Sequence, residues 1–323
     1  MKHIIISNEH AGHGLENARV SQETVAEAFK GLDFEYHATE GPKEAISFLK
    51  KRLAKEKEPV RIYCCGGDGS IHEAVQGIMG FENVELAIYA NGTGNDFVKT
   101  YSKDRTYEGI VERKGGEKRF SDFKELINAK AYPIDISKVS GPSLKEDVYS
   151  INVINFGFDA IVGARGNYYK ENGLPEAAVK KGMDPYDYAL KYDAMKHGRF
   201  NDIIVYADGE KLNEKQMLLA TVAQGQFVGA KFWAAPKSDN TDGLMDVCLL
   251  KTMTMLGLGM IIGGYTKGKH LNKKKRKVVY RRAKEVRIAA PENIDLCVDG
   301  EMYSGKDFTI ECMPGAIKLV IPE

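Results

Sequence analysis

Within its first hundred residues the chain repeats one unit four times: a short apolar run, a polar turn, and, after the first three runs, a stretch with helical spacing. "HIIIS" (His3 to Ser7), "DFEYHAT", "VRIYCC" and "ELAIYA" are the apolar runs. After the first of these, Val20, Val25, Ala28 and Phe29 fall on one helical face in "NARVSQETVAEAFKGL". "GPKEAISFLKKRLAKEK" and "IHEAVQGIM" supply two more helices, the former with Pro42 near its start. Such alternation admits few folds. It predicts a parallel sheet with helices on both faces, where ligands bind at the carboxyl ends of the strands. The polar loops after Ser7, Cys65 and Ala90 all fall at such ends.

The loop after the third run reads "CCGGDGSIHEAV", Cys64 to Val75. Gly66, Gly67 and Gly69 allow a tight turn and close approach of a ligand. Ser70 and Glu73 have capping-box spacing, so a helix is expected to begin at Ser70 with its positive end facing the turn. No Gly-Lys-Ser/Thr follows, so this is not a Walker loop. Asp68 has the wrong charge for a phosphate unless a cation lies nearby, or it is the aspartate of an ordinary Asp-Gly turn. The fourth loop, "YANGTGNDFVKT", gathers Asn91, Gly92, Thr93, Asn95 and Asp96, with a helix expected near Asp96.

From about Ala131 the grammar changes. "YPIDISKVS", "VYSINVINFGFDAIV", "DIIVYADGEKL", "MLLATVAQGQF", "LMDVCLLK", "EVRIAA" and "IDLCVDGEMYS" are strand-like runs with turn chemistry between them. They read as an antiparallel β sandwich or barrel, interrupted by helices near Lys180 to His197 and near Met253 to His270. The expected division is an α/β domain over 1–130 and a β-rich domain over 131–309, with 310–323 packing back on the first. Asp239, Asp242 and Asp246 crowd one turn in "SDNTDGLMDV", which suits a hard cation or is a solvated acidic turn. The spacing is not that of an EF-hand. "ADGE" (Ala207 to Glu210) and "VDGE" (Val298 to Glu301) are both hairpin turns on local grounds.

With 43% apolar and 28% charged residues the chain is an ordinary globular sequence, and 46 basic against 45 acidic side chains exclude nothing by net charge. Five cysteines without metal-ligand spacing suggest reduced thiols in the cytoplasm. "MKHIIIS" reads as a first strand, not a leader, and Met253 to Tyr265 as a buried helix too short to span a membrane. Lys267, Lys269, Lys273, Lys274, Lys275, Arg276, Lys277, Arg281, Arg282 and Lys284 form a basic run. It suits an anionic membrane surface or a solvated connection; no stacking motif supports a nucleic-acid partner.

"GGDGSIHEAVQGI" followed by "ANGTGNDF" resembles the diacylglycerol kinase catalytic domain family, which includes bacterial soluble lipid kinases and the related sphingosine and ceramide kinases. "NVINFGFDAIV", "PKSDNTDGLMDVCLL", "CVDGEMYS" and "PGAIKLVIP" extend the resemblance over nearly the whole chain. GGDG alone is shared with NAD kinases and phosphofructokinases. There are departures. The family usually has Asn-Pro where this chain has Asn8-Glu9, Ser70 replaces a commoner threonine, and Arg165 to Asp193 is longer than the bacterial pattern.

The resemblance implies an NAD kinase/diacylglycerol kinase-like α/β domain with a parallel sheet, followed by an antiparallel β-sandwich domain. It implies an ATP- and Mg²⁺-dependent lipid kinase acting on diacylglycerol or a related lipid. ATP would meet Asn8, Thr39, Gly66, Gly67, Asp68, Gly69, Ser70, Ile71, His72, Asn91, Gly92 and Thr93. Magnesium would be held by Asp242 with main-chain oxygens near Asp239 and Leu244, and could reach Asp68 through water. Glu301 would take the lipid hydroxyl's proton, with Asp68 beside it and Asp299 as a weaker candidate base. Expected partners are a lipid alcohol, an anionic inner-membrane face through Lys267–Lys284, and a second copy as a homodimer, although the residues give no sign of oligomeric state. The rivals are a small-molecule kinase of NAD kinase type and a nucleotide-binding regulator without turnover.

Overall fold

The computed structural model describes residues 1–8, 20–101, 117–229, 231–272 and 277–322. Glu9 with the rest of the first loop, and Lys273, Lys274, Lys275 and Arg276 of the basic run, lie outside them.

The first hundred residues form the expected units. Strands β1 (Lys2–Ser7), β2 (Phe34–Ala38), β3 (Val60–Gly66) and β4 (Val84–Ala90) alternate with helices α1 (Gln22–Ala28), α2 (Glu44–Leu53) and α3 (Asp68–Ile78). They pair in parallel in the order β4-β3-β1-β2. Every residue of β3 is buried. That is why "VRIYCC" shows no alternation: a parallel strand covered on both faces needs apolar residues at every position.

After α4 (Phe123–Asn128) come β5 (Lys130–Ser140), β6 (Val148–Ser150) and β7 (Val153–Gly157), then α5 (Phe158–Asn172). "FDAIV", read above as strand, is helical. An apolar run this short does not fix its own period, and the chain turns from strand to helix at Gly157, where φ is 85°. Short helices α6 (Glu176–Val179), α7 (Pro185–Tyr188) and α8 (Met195–His197) complete the first helical insertion, with a π-helical turn at Ala189–Ala194. The sheet resumes with β8 (Ile204–Ala207), β9 (Glu210–Lys211) and β10 (Met217–Ala223). A small hairpin, β11 (Phe227–Val228) and β12 (Phe232–Trp233), precedes β13 (Met245–Lys251). The second insertion, α9 (Met255–Tyr265), leads to β14 (Val278–Ala283), β15 (Glu285–Val298) and β16 (Glu301–Ile321).

The long strand β16 ties the parts together. It leaves a hairpin with β15, pairs with β5 from Thr309 to Ile321, and near its end runs parallel to β4, Lys318 beside Glu85 and Leu319 beside Leu86. Ile317, Leu319, Val320 and Ile321 sit in the same core as β1, β3 and β4. A second core lies between β7, β8, β10, β13, β15 and β16, where inward and outward residues alternate along strands such as Glu285 to Ile288. A third gathers Phe158, Leu258, Ile261 and Tyr265 from the two insertions against Leu219, Cys248 and Leu250 of the sheet.

Candidate active site

The glycine loops meet at the carboxyl ends of β3 and β4. Asn91 N–H donates to the Gly66 carbonyl at 3.2 Å. A Cβ on Gly92 would stand 2.3 Å from Gly67 Cα, so the two loops can touch only as glycines. Asp68 explains its own place in the first loop. Its Oδ2 accepts from Asp96 N–H at 3.1 Å and its Oδ1 from Phe97 N–H at 3.2 Å. The carboxylate therefore staples the second loop to the first. Burial raises its pKa to about 6, the Asp96 carboxylate adds to the rise, and the two N–H donors oppose it.

The helix start differs from expectation. α3 begins at Asp68, with Gly67 as N-cap and no side-chain cap. Ser70 thus lies inside the first turn, where its Oγ accepts from Asn8 Nδ2 at 3.3 Å. Glu73 turns away to accept Lys43 N–H at 2.8 Å. The capping box does not form, because the glycines let the chain enter the helix earlier. Nor does a helix start at Asp96; a 3₁₀ turn spans Val98–Tyr101. Thr39 lies beside β1, its N–H donating to the Ser7 carbonyl at 2.9 Å, while Gly69 in the first turn of α3 and Thr93 in the second loop are exposed. Ile71 is buried in the first core, so it can offer a ligand only its backbone.

Two residues of α3 link it to the β-rich part: Gln76, whose Nε2 donates to the Tyr149 carbonyl at 2.7 Å and whose Oε1 accepts Tyr149 N–H at 2.9 Å, and His72. Its ring is buried, with Nδ1 3.5 Å from Asp299 Oδ2 and Nε2 3.5 Å from the Tyr303 hydroxyl. Asp299 Oδ1 also accepts from Ser150 Oγ at 2.7 Å, Val153 N–H at 2.9 Å and Asn152 N–H at 3.1 Å, and Oδ2 from Ile151 N–H at 3.0 Å. With its oxygens so engaged, Asp299 is a clamp and not a free base. It fixes the hairpin that carries Glu301, whose own side chain is exposed. Glu301 stands close enough to Glu73 on α3 to add to the upward shift that burial gives that group. The Glu301 hairpin and the α3 loop thus share one region. Spacing alone gave no hint of His72 as a connection.

The acidic turn is held differently. Asp135 on β5, which sequence reasoning missed, accepts Gly243 N–H at 2.6 Å and Gly315 N–H at 2.8 Å. Asn240 Nδ2 donates to the Tyr101 hydroxyl at 2.9 Å, joining this turn to the second glycine loop. Asp239 Oδ1 takes both the N–H and the hydroxyl of Thr241. Asp242 Oδ1 takes Leu244 N–H at 3.0 Å, and its Oδ2 is paired with the Arg282 guanidinium. Asp246 accepts from the Tyr280 hydroxyl. Among the described residues no group of three His, Cys, Asp or Glu side chains could hold a metal ion. Asp242 Oδ2 faces the Arg282 guanidinium, so a divalent cation held there by Asp242 and main-chain oxygens would have to displace that side chain.

Two further groups matter. Asp159, on the first turn of α5, has its pKa raised to about 7 by burial. It was hidden in a run read as strand; the signal available was a lone acid just after a glycine. The described residues of the basic run differ in their partners. Arg281 pairs with Glu210 at 3.5 Å, Arg282 with Asp242, and Lys277 Nζ donates to the Thr252 carbonyl, while Lys267 and Lys269 are exposed. All five cysteines are free thiols, and no helix among the described residues is long and apolar enough to cross a membrane.

The chain matches the diacylglycerol kinase catalytic domain over residues 2–139 and the YegS C-terminal NAD kinase beta sandwich-like domain over residues 152–321. It is 27% identical to a "Probable lipid kinase YegS-like" of Shewanella frigidimarina, across 96% of this chain and 92% of that one. To a "Diacylglycerol kinase" of Bacillus subtilis it is 26% identical, across 93% and 89%. A solved diacylglycerol kinase structure from Bacillus anthracis superposes with a TM-score of 0.63 at 19% identity, covering 99% of this chain and 96% of that one; it speaks for the fold alone.

Proposed function

Since the chain belongs to the family that joins a diacylglycerol kinase catalytic domain to a YegS-type C-terminal domain, we propose that it transfers the γ-phosphoryl group of ATP to a hydroxyl of diacylglycerol or a related lipid. The observation that carries this reading is the latch through His72 and Asp299. It brings a carboxylate hairpin to the helix that opens from the first glycine loop. Phosphoryl transfer needs those two parts in one place: a cradle for the phosphates and a base for the attacking hydroxyl.

In this reading the nucleotide phosphates lie against the backbone of Gly66 to Gly69 and the start of α3, where N–H groups and the helix dipole favour an anion. Asn8, Thr39 and Thr93 border them. Glu301, exposed and unclamped, accepts the proton of the lipid hydroxyl as its oxygen bonds to the γ-phosphorus and the bond to ADP breaks. Asp68 keeps the two loops in register instead of touching the reacting atoms. Magnesium enters with the nucleotide as its counter-ion. Docking at the inner membrane face would bring the enzyme to its substrate.

Labelled phosphate transfer from ATP to a panel of lipid extracts tests the reading. Transfer to a diacylglycerol fraction is expected, abolished by chelating the nucleotide's magnesium. Glu301→Gln should lower turnover by about 100-fold or more with ATP affinity nearly unchanged. Glu210→Gln, at the other hairpin, should stay within about twofold, since it lies on the surface. Transfer to a nicotinamide dinucleotide in place of lipid, or ATP binding without any lipid-stimulated consumption, would overturn it.

A further inference from the structure

Met253 to Tyr265 was expected to be a buried helix, and on one side it is. Leu258, Ile261 and Tyr265 of α9 pack into the third core, and the Tyr265 hydroxyl lies 3.1 Å from Thr221 Oγ1. The other side is bare. Leu256 is 77% exposed and Met260 50%, four residues apart on one face. Between and beyond them Gly259 and Gly263 have nothing within 4 Å of where a Cβ would stand. A water-facing helix normally carries charge on that side. α9 carries none along its length, and Lys267 and Lys269, both exposed, follow directly after it.

The first insertion shares the third core with α9 and shows the same habit. Nine large hydrophobic side chains are exposed among the described residues, and all but Met1 and Leu32 lie either on α9 or between β7 and β8, in the first insertion and the short segment that follows it. Scattered exposed apolar residues would need no explanation; their confinement to two adjoining stretches does. Several are rings with a cation over them. The Arg165 guanidinium lies 5.1 Å from the centre of the Tyr168 ring, Lys191 Nζ 5.5 Å from that of Tyr192, and the Arg199 guanidinium 5.2 Å from that of Phe200. Arg165 is also steadied by Asp193 at 3.6 Å.

We propose that the outer stripe of α9, with the aromatic helices of the first insertion beside it, is a docking surface that inserts into an anionic phospholipid bilayer. Aromatic side chains with cations alongside suit the headgroup layer, where the ring takes the apolar side and the cation meets phosphate. An uncharged helical stripe ending in lysines suits the same boundary, apolar residues in the acyl region and cations outside it. The first insertion reaches the site through α5. α5 carries Tyr168 near its far end, and a Cβ on its Gly163 would stand 3.4 Å from Met302 Sδ, next to Glu301. One helix thus spans from the bilayer-facing rings to the hairpin of the proposed base. The inference rests on the lipid-kinase reading for its purpose, but its binding test does not.

The test is sedimentation of the full chain with vesicles of phosphatidylglycerol and phosphatidylethanolamine. Replacing Leu256→Ser together with Met260→Ser adds no charge and changes only exposed side chains, so the melting temperature should be unchanged. Vesicle partitioning should fall by roughly tenfold or more, the loss expected from withdrawing two apolar side chains from a lipid phase. Leu256→Trp should strengthen partitioning. Phosphorylation of diacylglycerol within those vesicles should fall with binding in the serine pair, while phosphorylation of water-soluble dihexanoylglycerol should not. Unaltered vesicle binding in the serine pair overturns the proposal, as does light scattering that shows a dimer which the pair dissociates while vesicle binding stays the same. A wild-type chain that binds vesicles but phosphorylates neither lipid defeats the kinase reading and leaves the docking surface standing.

Discussion

At Ala207–Glu210 and at Val298–Glu301 the chain runs Asp-Gly-Glu between two antiparallel strands. The backbone treats the two alike. Asp208 and Gly209 have φ of 48° and 80°, Asp299 and Gly300 of 52° and 101°, the left-handed pair that a two-residue hairpin demands. Their surroundings differ. Asp208 is exposed and accepts from Lys284 and Glu285 N–H of the neighbouring chain segment, at 3.0 and 2.9 Å. Asp299 is buried and gathers three successive backbone N–H groups, a serine hydroxyl and a histidine ring. Glu210 is paired with Arg281 on the surface, whereas Glu301 stands beside α3. Identical turn chemistry thus makes a surface corner in one place and the corner of a site in the other. What a turn does depends on what the fold packs against it.

The comparison can be broken by stability measurements. Asp299→Ala leaves Ile151, Asn152 and Val153 N–H without their acceptor in the interior, so denaturant unfolding should show a loss of about 3 kcal/mol or more. Asp208→Ala, whose lost donors can turn to water, should cost about 1 kcal/mol or less. Equal losses at the two turns would mean that the buried clamp is worth no more than the exposed one.

Asp159 sharpens the contrast between a buried carboxylate rich in donors and one whose burial is not so compensated. Its folded pKa is raised from 3.8 to about 7. A raised value means the folded chain holds the proton more tightly than the unfolded one. The stabilising contribution is therefore complete below about pH 4 and lost as pH rises through about 7. Asp159→Asn removes that dependence. The variant should gain about 1–3 kcal/mol over the wild type at pH 8, and the gain should vanish toward pH 4. A pH-independent difference in melting would show that Asp159 titrates normally.

The smallest effect is expected at the acidic turn, where the partner is a part-exposed guanidinium. Arg282→Gln should cost under about 1 kcal/mol, as for other solvent-accessible ion pairs. With the guanidinium gone, magnesium without nucleotide should raise the melting temperature of the variant more than that of the wild type. A wild-type melting temperature that already climbs with magnesium would put the ion, and not Arg282, on Asp242.

Much of the fold was legible because its rules are local. Continuous apolar runs alternating with helical spacing specify a parallel sheet, and β1 to β4 follow that pattern. The β-rich half announced itself through alternation and Asp-Gly turns. Errors fell where periodicity is silent or a glycine relaxes it: "FDAIV" became helix after Gly157, and α3 began at Asp68 instead of Ser70. Of the candidate site, the glycine loops were visible as motifs, but Asp135, Asp159 and the tie of His72 to the hairpin were not. Asp135 and His72 depend on partners far away in sequence and Asp159 on the packing that covers it, and isolated acids or a lone histidine carry no spacing signal.

The sequence by itself determined which turns form, because left-handed backbone at Asp-Gly is a property of two residues and their neighbours. It determined the strand–helix order for the same reason. Only the tertiary structure decided which aspartate is buried, which is paired with arginine, and which face of α9 is left bare. Those outcomes depend on desolvation and on donors brought from distant segments: Asp299 meets residues 146 to 149 positions away, and His72 at 227. Such distances are closed by the packing of whole sheets, which no local pattern of residues encodes.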